Sequence, residues 1–115
     1  MKDLGSTFTL LSMVLRKHVA GMHIKTDVPG NLYVELPSGK PTDKPRFFGA
    51  VQTKKSYVSY HLMPIYEEPA LLAGTTDALR KRMQGKSCFN FSVEEPVLFE
   101  ELDALTKKCA AATKG

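Results

Sequence analysis

At Gly21 the hydrophobic period of this chain changes from helical to alternating, and that switch constrains the fold more than any other feature. Before it, Leu4, Phe8, Leu11 and Leu15 recur at helical spacing, with Leu10 and Val14 widening the stripe. Ser6 or Thr7 can cap the first turn, and Arg16, Lys17 and His18 suit the negative end of a helix dipole. Gly21 is the natural stop, so a helix is predicted from Thr7 to Val19. After it, Met22, Ile24 and Val28 alternate with His23, Lys25 and Asp27, and Leu32, Val34 and Leu36 alternate with Tyr33 and Glu35. Pro29-Gly30-Asn31 supplies the turn between them, which predicts a β-hairpin.

Residues 37–45 hold three prolines in nine positions, which excludes a helix or a central strand and leaves a loop. Strands are predicted over Arg46 to Thr53 and Tyr57 to Met63, joined by Lys54-Lys55-Ser56, with Pro64 ending the second. One short helical turn fits residues 65–74. Thr76 then caps a helix running from Asp77 to Gly85, with Leu79 and Met83 facing inward. Ser87 to Ser92 reads as a fifth strand with Phe89 and Phe91 on one face. Leu98, Leu102, Leu105, Cys109 and Ala112 mark a C-terminal helix whose first turn suits Pro96, and Asp103 with Lys107 is a supportive i,i+4 pair. The expected fold is α+β: a single domain over residues 1–115 in the order α-β-β-β-β-α-β-α. Its antiparallel sheet has about five strands, with helices packed on one face.

Composition narrows the class without naming a function. The 115 residues suffice for one core, and 16 Lys and Arg against 12 Asp and Glu give a mild net charge of +4. Two cysteines, Cys88 and Cys109, do not make a disulfide scaffold and read as reduced thiols of a cytoplasmic protein. The uncharged stretch from Leu4 to Leu15 follows Asp3 and precedes Arg16-Lys17-His18, which is not the layout of a signal peptide. No stretch is long enough to span a bilayer, so no membrane partner is expected.

A sheet covered on one side leaves a second face, and alternation assigns its residues. Val58, Tyr60 and Leu62, with Phe89 and Phe91, belong under the helices. The opposite face then gathers Tyr57, Ser59, His61, Cys88 and Asn90, a set polar enough to bind a ligand. As a nucleophile pair, His61 and Cys88 lack any motif for an oxyanion hole, so no catalytic residue is assigned. Glu94, Glu95, Glu100, Glu101 and Asp103 form the dense carboxylate group. Glu100 and Asp103 share a helix face and could serve a hard cation, although acids at a helix start explain them as well. From Lys40 to Lys55 there are five bases and one acid, interleaved with Phe47, Phe48 and Tyr57 as in single-strand binders that combine stacking and charge. A dedicated nucleic-acid domain usually carries a steeper excess than +4, so nucleic acid is not the expected partner.

The strings Tyr57-Val58-Ser59-Tyr60-His61-Leu62-Met63-Pro64 and Leu79-Arg80-Lys81-Arg82-Met83-Gln84-Gly85-Lys86-Ser87-Cys88-Phe89-Asn90-Phe91 resemble the YdhG-like family, small bacterial domains of unknown function. The resemblance covers roughly residues 46–108 and implies a compact α+β fold with an antiparallel sheet. Some relatives are described as frataxin-like iron chaperones, a role that rests on an acidic surface around the first helix. Here that helix carries Arg16 and Lys17.

The expectation is therefore a small, non-enzymatic bacterial binding or interaction domain. It needs no cofactor, is a monomer or homodimer, and takes an unidentified small molecule or protein partner on Tyr57, Ser59, His61, Cys88 and Asn90. The alternatives are an iron chaperone using Glu100 and Asp103, with iron as its cargo, and a minor enzyme at the open sheet face.

Overall fold

The computed structural model describes residues 4–36 and 46–113. Its elements are α1 (Leu4–Arg16), β1 (His23–Val28), β2 (Asn31–Leu36), β3 (Arg46–Thr53), β4 (Val58–Leu62), α2 (Met63–Glu67), a 3-10 turn (Pro69–Leu72), α3 (Asp77–Arg80), β5 (Cys88–Phe91) and α4 (Pro96–Thr113). The strands form one antiparallel sheet in the order β1-β2-β3-β4-β5, so every strand lies beside its neighbour in sequence. This is the expected α+β domain with five strands. The proline-rich loop at 37–45 lies outside the described residues.

The core lies between one sheet face and the helices α1 and α4. Leu32, Val34, Phe48, Val51, Val58, Tyr60, Leu62, Phe89 and Phe91 from the sheet meet Leu11 and Leu15 of α1 and Leu98, Phe99, Leu102 and Leu105 of α4, all buried. Phe8 is half-buried at the margin of that cluster. Phe99 meets Phe91 edge to face at 5.0 Å. Gly49 of β3 permits the close approach of β4 and α1: a Cβ there would lie 2.8 Å from the His61 carbonyl oxygen and 3.4 Å from Leu15 Cδ1.

Several boundaries differ from the sequence reading, each for a local reason. Helix α1 ends at Arg16, not Val19, because the His18 amide bonds the Leu15 carbonyl and tightens the chain toward Gly21. Strand β4 begins at Val58 and ends at Leu62. Tyr57 therefore sits in the preceding turn, its carbonyl accepting from the Lys54 amide, and Met63 opens α2 with Pro64 in its first turn. Thr76 does cap α3, accepting from the Leu79 amide, but the helix stops at Arg80 rather than Gly85. The backbone of Arg82 to Gln84 pairs with β5 instead: the Asn90 amide donates to the Arg82 carbonyl and the Gln84 amide to the Cys88 carbonyl. Asp103 bonds Lys17 and His18 across the helix pair, not Lys107. Ala112 is exposed and Ala110 is the buried residue of the last turn.

The expected apolar face of β1 does not exist. Ile24 is 37% and Val28 52% exposed, because β1 is an edge strand with a bulge between Ile24 and Thr26 that interrupts the alternation. Arg16 fastens this strand to α1 through two bonds to the Asp27 carboxylate, at 3.0 and 2.5 Å. No described helix is long and apolar enough to cross a membrane.

Candidate functional site

The register across the sheet arranges the face opposite the helices into rows. Asn31 pairs with Gln52, Gln52 with Ser59, and Ser59 with Asn90, which makes one polar row over four strands. Two residues along, Tyr33 pairs with Ala50, Ala50 with His61, and His61 with Cys88. Four of the five residues assigned from alternation share this face, Ser59 opposite Asn90 and His61 opposite Cys88, but Ser59 is buried at 7% exposure while the other three are half-buried. Tyr57 stands one position outside, half-buried in the turn before β4.

Phe47 closes the second row. It stacks on Tyr33 at 4.7 Å and meets His61 edge to face at 4.9 Å, so three rings bridge β2, β3 and β4 around the small Ala50. Lys25 of β1 holds its ammonium 5.5 Å from the Tyr33 ring centroid. A second bulge, between Val34 and Glu35, separates Phe47 on this face from Phe48 in the core.

The polar groups are tied to one another. Gln52 Nε2 donates to Asn31 Oδ1 at 3.2 Å, Lys54 Nζ to Gln52 Oε1 at 3.2 Å, and Ser59 Oγ to the Gln52 carbonyl at 3.4 Å. The Cys88 thiol donates to Asn90 Oδ1 at 3.6 Å. His61 Nε2 lies 2.7 Å from the Oγ of Ser87, a residue only 4% exposed. Burial pushes the His61 pKa down, which favours the neutral ring. Burial pushes the Cys88 thiol up, opposed by the nearby Lys54 charge and a backbone hydrogen bond at Tyr60, which disfavours a thiolate.

The acidic segment is dispersed. Ser6 bonds Glu94, Arg82 forks onto Glu95 at 2.7 and 2.6 Å, Thr76 bonds Glu101, and Lys17 and His18 share Asp103. Glu100 and Asp103 do share a groove between α1 and α4, with Leu10, Met13 and Phe99, but Asp103 already faces the Lys17 ammonium there. Among the described residues no group of three or more His, Cys, Asp or Glu could hold a metal ion.

Sequence reasoning missed Asn31, Tyr33, Gln52 and Ser87, and it weighed Phe47 only among the bases of residues 40–55 without assigning it to this face. Tyr33 was open to discovery, since it alternates with Leu32 and Val34. Phe47 was not, because a one-residue bulge inverts the face of everything on one side of it. No protein-family model, curated protein or solved structure matches the chain.

Proposed function

We propose that this chain is a non-enzymatic binding domain whose ligand surface is the open face of the sheet, and that it is kin to the YdhG-like domains it resembles. The observation that carries the reading is the pairing of His61 with Cys88 and Ser59 with Asn90 on the side away from α1 and α4. Core packing makes no demand for an imidazole, a thiol and an amide at the half-buried positions His61, Cys88 and Asn90, whereas small-ligand sites combine an apolar floor with a few convergent polar groups. Support for binding over catalysis comes from the candidate nucleophiles. The Cys88 thiol is held protonated, and Ser59 and Ser87 are both buried. The unbridged Cys88 and Cys109 suit a cytoplasmic setting.

The test is a thermal-shift screen of wild type against nucleotides, sugars, acyl compounds and divalent metals. A specific binder stabilises by about 2.7 kcal/mol at 100 times its Kd. The shift is expected to vanish in Asn90→Ala with His61→Gln, which keeps an acceptor for Ser87. A shift that survives this pair unchanged overturns the reading.

A further inference from the structure

We propose that the occupant of the open face is a single strand of nucleic acid. The inference rests on the reading of that face as the binding surface, and it follows from the donors, the charges and the rings that the face leaves outward.

Each amide oxygen of the polar row already accepts one bond from within the face. Asn31 Oδ1 accepts from Gln52, Gln52 Oε1 from Lys54, and Asn90 Oδ1 from Cys88. The donors remain: the Nδ2 groups of Asn31 and Asn90 have no partner among the described residues, and an ammonium carries more protons than Lys54 uses. A face that offers donors calls for a ligand rich in acceptors. Charge agrees with this. Lys25 and Lys54 stand on or beside this face against Glu35. The acids of the C-terminal segment are instead engaged with α1, α3 and the neighbouring turns: Glu95 by Arg82, Glu101 by Thr76, and Asp103 by Lys17 and His18. Among the described residues the face thus keeps two lysines against one carboxylate.

Shape selects among anions. From Lys25 on β1 to Asn90 on β5 the surface crosses five strands, roughly 19 Å at the usual strand spacing, too far for one phosphate group. The rings of Tyr33, Phe47 and His61 run beside the amide row, so planar bases and acceptor-bearing base edges find partners on adjacent rows. An acidic polypeptide would satisfy the lysines and leave the aromatic row unused.

The experiment is fluorescence anisotropy of a fluorescein-labelled oligothymidylate, with polyglutamate as the control polyanion and amide chemical shifts to locate the contact. Saturable binding is expected, weakening with salt at a slope of about 0.7 per phosphate neutralised. Lys25→Gln and Lys54→Gln should each lower that slope by about one contact's worth. Asn31→Ala with Asn90→Ala should weaken binding about tenfold while leaving the slope unchanged. The amides of Tyr33, Ser59 and Asn90 should shift. Absence of binding, or equal displacement by polyglutamate, overturns the proposal. Should inorganic phosphate or a sugar move those amides where the oligonucleotide does not, the occupant is wrong and the face stands. Should the oligonucleotide bind yet move only the amides of Arg80 to Arg82, the open-face reading itself falls.

Discussion

Tyr60 Oη lies 2.6 Å from Thr106 Oγ1 between the sheet and α4, and the direction of this bond is settled by what Thr106 does with its own proton. Thr106 Oγ1 donates to the Leu102 carbonyl at 2.6 Å, so the phenol of Tyr60 donates to Thr106. Both residues are fully buried, and burial pushes the Tyr60 phenol far up, so it stays protonated and donating. The two ends of this bond are therefore not equivalent. Thr106→Val strands a buried phenol and should cost about 1–3 kcal/mol, whereas Tyr60→Phe leaves Thr106 satisfied and should cost about 0.5–1.5 kcal/mol. Urea unfolding of the two variants checks the order. A larger loss for Tyr60→Phe reverses the assigned direction.

Gly49 sits where β3, β4 and α1 converge. Gly49→Ala places a methyl against the His61 carbonyl, a rigid backbone atom, so the strands must part. A loss of about 1–3 kcal/mol is expected, together with shifted amide resonances at His61 and Cys88. An alanine variant as stable as wild type would mean that the sheet relaxes there without strain.

Acid should weaken the fold in two separable windows. Burial holds the His61 pKa below its ordinary value, so between the two values the unfolded chain binds more protons. Stability attributable to His61 is complete above the ordinary histidine range and falls as pH drops through it. Asp103 is held below the carboxylate range, first by its bond to His18 and then by Lys17, so its contribution persists until about pH 4 and is lost beneath that. His61→Gln should flatten the stability profile as pH falls through and below the ordinary histidine range and leave the carboxylate limb intact. An unchanged upper limb would falsify the assignment to His61.

The free side of β5 is occupied by Arg82 to Gln84, and Arg82 is anchored by its fork onto Glu95. Arg82→Ala should cost no more than about 1 kcal/mol, since the pair is partly exposed, yet it should speed hydrogen exchange at the Asn90 amide. Exchange at Asn90 that matches wild type would show that the segment holds without its anchor.

Much of this architecture was readable because its signals are local. The meander follows from short turns such as Pro29-Gly30, where Gly30 takes φ 82°, and the split of Val58, Tyr60 and Leu62 from Ser59 and His61 follows from period two alone. That split placed His61, Cys88, Ser59 and Asn90 on one face before the neighbour of β5 was known. What stayed hidden depends on non-local geometry. The bulge that turns Phe47 outward and Phe48 inward leaves no trace in composition. The early end of α3 is decided by β5, which claims the backbone of Arg82 to Gln84 that a local reading assigns to helix. The ties of Asp103 to Lys17 and His18 join residues 86 and 85 positions apart, beyond the reach of any spacing rule.

The bulged edge at β1 bears on how the chain behaves at high concentration. An open strand edge with Ile24 and Val28 exposed is the usual template for one molecule to extend the sheet of another. Here the register shift between Ile24 and Thr26 breaks the regular comb of amides and carbonyls that an incoming strand must match. The clamp of Arg16 on Asp27 holds that distorted edge against α1, and Arg82 to Gln84 already occupy the opposite border. The sheet is thus blunted at both ends against stacking into fibrils, and backbone irregularity joins the exposed charges of Lys25 and Asp27 in protecting it from polymerisation.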